Sequence, residues 1–206
     1  MLTVGNDAAE VERQLAGGQL GCPECGGRLR RWGHARDREI RLGGEARRRL
    51  RLRRSICGGQ GGCGRTHVLL PAGMLARRAD GASVIGEALA AAAAGLGHRT
   101  IAARLGRAAA TVRGWLRRLA LRAEALRSAF TVLACALDAD PLLPDPAGSP
   151  LADAVAAILA AAAAVAVRWG GAALRVSPWE LASAVTSGGL LCPGPAVQLI
   201  NTSCPW

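Results

Sequence analysis

Four cysteines in the first third of the chain have the chemistry to hold a metal ion. Cys22 and Cys25 stand three apart in Cys22-Pro23-Glu24-Cys25-Gly26-Gly27. That spacing lets two thiolates occupy two corners of one tetrahedron, and the glycines that follow let backbone amides approach the sulfurs. Cys57 and Cys63 are the candidates for the other two corners. They bracket Gly58-Gly59-Gln60-Gly61-Gly62, so five residues intervene where a zinc knuckle usually has two, and 31 residues separate the pairs. His67 is the fallback ligand for either cysteine, and His34 a weaker one. A closed set of four thiolates leaves no open coordination position, so zinc held here is structural. Cys135, Cys192 and Cys204 lack partner spacing and read as buried or incidental thiols.

The second constellation is a helix-turn-helix pattern over residues 97–119. Ile101, Ala102 and Leu105 fall on one face of a short helix, and Gly106 tolerates the left-handed turn after it. A second helical run from Ala109 to Leu119 places Val112, Trp115, Leu116 and Leu119 at i, i+3, i+4, i+7. Its opposite face carries Thr111, Arg113, Arg117 and Arg118, and Arg107 follows the turn glycine. In such motifs the second helix enters the DNA major groove, where hydroxyl and guanidinium groups meet base edges and phosphates. Thr111 and Arg113, in its first half, are the expected base readers.

A third feature is the run Arg47 to Arg54. As one strand it puts Arg47, Arg49, Arg51 and Arg53 on one face and Leu50 and Leu52 on the other. Guanidinium groups stacked this way repel one another unless anions compensate, so Arg49, Arg51 and Arg53 are the expected phosphate contacts. Charge distribution agrees. All basic residues are Arg; residues 1–134 carry 24 of them against 10 acids, while residues 135–206 carry 2 against 5. The positive field therefore belongs to the N-terminal two-thirds, and a polyanion is its natural partner.

These residues need elements to hold them. A first short helix over Asp7 to Ala16, with Asp7 and Glu10 at capping-box spacing, ends at Gly17-Gly18. Alternating runs predict strands around Leu29, around Ile40 and Leu42, through Leu50, Leu52 and Ile56, and over His67 to Leu70. Helical spacing returns with Val84, Ile85, Ala88, Leu89 and Ala92, and the recognition helix is expected to continue toward Leu133. Five residues of Pro and Gly between 141 and 150 mark a linker. Beyond it lie an Ala-rich helix and a short helix opening at Ser177-Pro178-Trp179-Glu180, a Ser cap with Glu closing the box. The uncharged run Ala154 to Val167 is short for a bilayer span, and the first twenty residues lack an apolar export signal.

Cys22 to Gly27, Arg31-Trp32-Gly33-His34 and Cys63-Gly64-Arg65-Thr66-His67 together resemble the N-terminal zinc ribbon of bacterial insertion-sequence transposases. Thr111-Val112-Arg113-Gly114-Trp115-Leu116-Arg117-Arg118 resembles the recognition helix of their adjoining helix-turn-helix. The combination is similar to a family of uncharacterised zinc-ribbon and helix-turn-helix proteins of high-GC bacteria, which also carry a segment like Ser177 to Leu181. The widened Cys57–Cys63 knuckle departs from the pattern, as does Arg107, where such motifs usually have an apolar residue. The transposase catalytic part, three acids on a mixed sheet, has no counterpart: Asp138, Asp140, Asp145, Asp153 and Glu180 fall in the linker and Ala-rich segment.

The expectation is therefore a mainly α protein with a small N-terminal β zinc ribbon, an α+β chain. Its parts are an N-terminal helix (1–20), a zinc-ribbon-like domain (21–71), a helix-turn-helix domain (80–134), a Pro-rich linker (135–150) and an Ala-rich helical segment (151–206). It is expected to bind double-stranded DNA in the cytoplasm, associated with the nucleoid, without a membrane, and to pair as a homodimer through the C-terminal helices. The rival readings are a metal-dependent nuclease or recombinase and a protein- or RNA-interaction module.

Overall fold

The computed structural model describes residues 1–59, 61–170 and 176–193. Among these residues the chain is an α+β fold in which helix predominates. The N-terminal part is a four-stranded sheet of β1 (Leu2–Val4), β6 (Thr66–Pro71), β5 (Arg53–Cys57) and β2 (Leu29–His34), in that spatial order. β1 runs parallel to β6, and the other neighbours are antiparallel. A three-residue strand such as β1 is too short to show a period; its partner β6 specifies it. Helix α1 (Ala8–Gly17) starts where Asp7 accepts from the Ala9 amide and stops at Gly18, which is left-handed at φ 69°. Glu10 does not close the expected capping box; it pairs with Arg13. Val11 and Leu15 bury against Leu29, Leu69 and Cys57 on one face of the sheet.

A separate antiparallel ribbon, β3 (Arg38–Arg41) with β4 (Arg47–Leu50), stands beside that sheet. Here the sequence expectation of one strand through Leu50, Leu52 and Ile56 is corrected. The chain leaves the ribbon after Leu50, buries Leu52 with Ile40, Leu70 and Met74, and begins β5 at Arg53. The Leu52 carbonyl accepts from Ala35, which fixes the crossing. The row of arginines is broken because burying Leu52 outweighs keeping the strand straight.

The helices α2 (Ala82–Ala93), α3 (His98–Leu105), α4 (Ala109–Ala120), α5 (Ala123–Leu137), α6 (Pro150–Trp169) and α7 (Pro178–Val185) share one apolar core. The expected continuous helix from Ala109 to Leu133 is interrupted. Arg122 leaves helical geometry at φ −124°, ψ 4°, and its guanidinium donates to the Gly189 and Leu190 carbonyls after α7. The break anchors the chain beyond α7 to the α4–α5 corner.

The C-terminal segment is not an independent unit within the described residues. α6 lies along α5 and buries Ala154, Val155, Ile158, Ala161 and Val165 in the same core as Trp115 and Phe130. Residues 138–149 therefore connect two packed helices and do not tether two domains. α6 is 20 residues long with a mean hydropathy of 2.1, enough by length and composition to cross a bilayer, but it packs as a core helix, with 44% of that stretch buried. α7 opens with the expected device: Ser177 accepts from the Glu180 amide, and the Glu180 carboxylate accepts from the Ser177 amide. Its Trp179 packs directly over Gly86 of α2, where a Cβ would lie 2.0 Å from the ring. Residues 194–206, Cys204 among them, lie outside the described residues.

Candidate functional site

The two cysteine pairs converge. The Sγ atoms of Cys22, Cys25, Cys57 and Cys63 all lie within 4.8 Å of one another, the one group of potential metal ligands among the described residues. Cys22 and Cys63 are 3.7 Å apart, and Cys25 and Cys57 are 3.4 Å apart. Four sulfurs at zinc-bond length from a shared centre would be separated by about 3.8 Å, so a tetrahedral ion fits with little adjustment.

Local backbone geometry explains the convergence. The first knuckle is closed by Cys22 donating to Gly27 and Gly26 donating to Cys22. A Cβ at Gly27 would lie 3.0 Å from Cys57 Sγ and 3.3 Å from Cys25 Sγ, so the backbone runs close beneath the sulfurs. The wide second knuckle is the turn between β5 and β6. Cys57 donates to Arg65 and Gly64 donates to Cys57, which keeps the strand ends paired, and Gly62 fits tightly against the Cys57 and Gly58 backbone. The insertion therefore lengthens a loop without moving Cys63 off the site.

The thiols are poised unequally. The Gly27 amide, followed by the Cys57 side chain, brings Cys25 down to about 6. Burial drives Cys57 up to about 12. Four sulfurs this close cannot all ionise unless a cation neutralises them. His67 is outside the set. It is buried, with Nε2 3.3 Å from Cys22 Sγ and Nδ1 3.2 Å from the Met1 amine, so it backs the Cys22 sulfur. His34 sits at the opposite end of β2 from Leu29.

The second constellation also assembles. α3 ends at Gly106, left-handed at φ 61°, ψ 39°, and Arg107 donates back to Ala102. Ile101, Ala102, Val112, Trp115 and Leu119 are buried where α3 and α4 cross beneath α2. On the other side of α4, Arg113 and Arg117 are exposed, with no hydrogen-bond or ion-pair partner among the described residues, and Thr111 is half-buried. Arg118 curls back to donate to Gly114 in its own helix.

Arg107 is a correction. Expected to face DNA, its side chain is only 8% exposed, with Nε donating to Asp80 Oδ1 at 2.7 Å. Nη2 donates to the Leu42 carbonyl at 2.7 Å, and Nη1 lies 3.4 Å from the Gly44 carbonyl. Asp80 also accepts from Arg41 of β3 at 2.7 Å. One buried carboxylate thus ties the α3–α4 turn to the ribbon. Charge at a normally apolar position is tolerated because every group it brings inside is met.

Arg53 is a second correction. It turns inward to pair with Glu12 of α1 and is 21% exposed, which removes it from the phosphate set. Arg49 and Arg51 remain well exposed, with Asp37 at 3.0 and 3.9 Å. Such surface pairs are weak enough to yield to a phosphate. Sequence reasoning missed Arg104, in the last turn of α3, which lines a cleft with Arg47 between the ribbon tip and the α3–α4 turn. Of the acids after residue 135, Asp138 accepts from the Asp140 amide and Asp153 from the Ala147 amide, both local contacts.

A family model described as a domain of unknown function (DUF6431) matches residues 22–115. The matched stretch begins at the first clustered cysteine and ends at Trp115 in the core face of α4, so it takes in the four cysteines and the first part of α4, with Arg117 and Arg118 beyond it. No curated protein and no solved structure matches the chain.

Proposed function

We propose that this chain is a sequence-specific double-stranded-DNA-binding protein whose fold is held by one structural zinc ion. It would serve as a transcriptional regulator or as a DNA-binding protein derived from a transposase. The observation that carries the reading is the outer face of α4: two exposed guanidinium groups, Arg113 and Arg117, without partners among the described residues, directly behind a tight left-handed turn. In that reading the N-terminal half of α4 enters the major groove, Arg113 takes a guanine edge and Thr111 a neighbouring base or phosphate. Arg117, Arg104 and Arg47 contact the flanking backbone, with Arg49 and Arg51 reaching further along it. The Asp80 tie holds the ribbon tip beside the end of α4 that reads.

Zinc is the ion we assign. Four thiolates are a soft donor set, and zinc takes them tetrahedrally without redox chemistry. The role is to fold the sheet edge that supports α1 and the ribbon. A second copy of the chain would cover Val132, Leu159 and Val167, the exposed apolar residues of α5 and α6. Selection from a pool of random duplexes tests the DNA reading. Enrichment of one motif by the zinc-loaded protein is the expected result; recovery of duplexes without sequence preference, or of none, would overturn it.

A further inference from the structure

A cleft of about 460 Å³ opens between α1, the four-stranded sheet and the β3–β4 ribbon, on the seam between two of the apolar clusters. Its floor is apolar: Val4, Ile40, Leu50, Leu69 and Met74 contribute from four separate parts of the chain. Its size and composition are those of a small-molecule site, apolar with a few convergent polar groups.

The rim charges are what identify the occupant. Both rim acids are already committed. Glu12 accepts from Arg53 and from Arg31, and Glu180 accepts from Asn6 at 2.6 Å and from the Ser177 amide at 2.8 Å. Of the rim arginines, Arg53 is taken up by Glu12, and two are not so engaged. Arg48 has no side-chain partner among the described residues, and Arg51 comes no closer than 3.9 Å to Asp37. Two uncommitted guanidiniums over an apolar floor complement a molecule with one anionic group and an apolar body. Guanidinium forks favour carboxylates, which they can grip through two parallel hydrogen bonds.

We infer that this cleft binds a small amphipathic carboxylate, its apolar body between the ribbon and the sheet and its carboxylate on Arg48 and Arg51. The cleft is distinct from the outer face of α4, and Arg51 is the residue it shares with the proposed DNA-backbone contacts, so the test is made without DNA.

The test uses three probes of one shape on the zinc-loaded full chain, without DNA: 2-naphthoate, neutral 2-naphthamide and 2-naphthylmethylammonium. Calorimetry should give one saturable naphthoate site per chain, with shifts of the Val4, Ile40 and Leu50 amide resonances. Naphthamide should bind about tenfold more weakly, as loss of a charge-assisted contact implies. The ammonium should not bind. The Arg48→Gln, Arg51→Gln double variant changes only exposed side chains, so it should fold normally and lose the preference for naphthoate over naphthamide. Equal affinity for naphthoate and the ammonium, a preference that survives in the double variant, or no saturable site would each overturn the inference.

Discussion

Arg107 and Asp80 form an ion pair that water scarcely reaches, with Nε 2.7 Å from Oδ1 and side chains 8% and 3% exposed. The pair joins the turn between α3 and α4 to a ribbon more than sixty residues earlier in the chain, through the Leu42 carbonyl and Arg41. A buried charge left without its partner is costly even where the intact pair adds little net stability.

Asp80→Ala should therefore lower stability by about 3 kcal/mol, since it leaves the buried Arg107 guanidinium without its counter-charge. Urea denaturation checks this. An unchanged midpoint would mean that the carbonyls around Arg107 suffice and that Asp80 is no clamp.

The metal centre predicts an asymmetry between cysteine and histidine variants. The wild-type chain should carry one zinc ion, and Cys57→Ser should lose it and unfold the sheet, because so small a layer cannot stabilise itself without the ion. His67→Ala should keep the ion but bind it at least about tenfold more weakly, as loss of a group supporting a ligand does. Metal analysis with competition by a chromophoric chelator separates the two. Full loss of zinc in the His67 variant would make it a ligand.

Acid should loosen the seat of α1. The Arg53 guanidinium, aided by Arg31, holds the Glu12 carboxyl below its ordinary value. A carboxyl lowered on folding contributes stability that is present above its unfolded value and lost as pH falls through its folded one. Glu12→Gln should thus flatten the acid limb of stability while changing little between the variant and wild type at the lowest pH. Parallel acid limbs in melts from pH 7 to 3 would contradict this.

The parts of this molecule that carry a short period or a fixed spacing were legible in the chain. The cysteine pairs, the Gly106 turn, the buried face of α4 and the Ser177–Glu180 box all appear where the residues imply, because each is decided within a few neighbours. Contacts across the chain were not. Arg53 looks like its neighbours in an arginine run, and only the position of Glu12 turns it inward. Arg107 reads as a surface cation until Asp80 and the ribbon carbonyls surround it. The prolines after residue 140 read as a domain linker, yet the alanines of α6 allow it to lie close along α5, and that contact made them a surface crossover.

DNA reading is assigned to α4, and a salt titration of Arg113→Ala and Arg49→Ala on selected and scrambled duplexes decides it. Arg113→Ala should cost ~1–3 kcal/mol on the selected duplex, much less on the scrambled one, and relax preference at one base pair. Arg49→Ala should weaken both duplexes alike and lower the salt slope by roughly one. If Arg113→Ala left the affinity for the selected duplex unchanged, or weakened both duplexes equally, α4 would not be the reader.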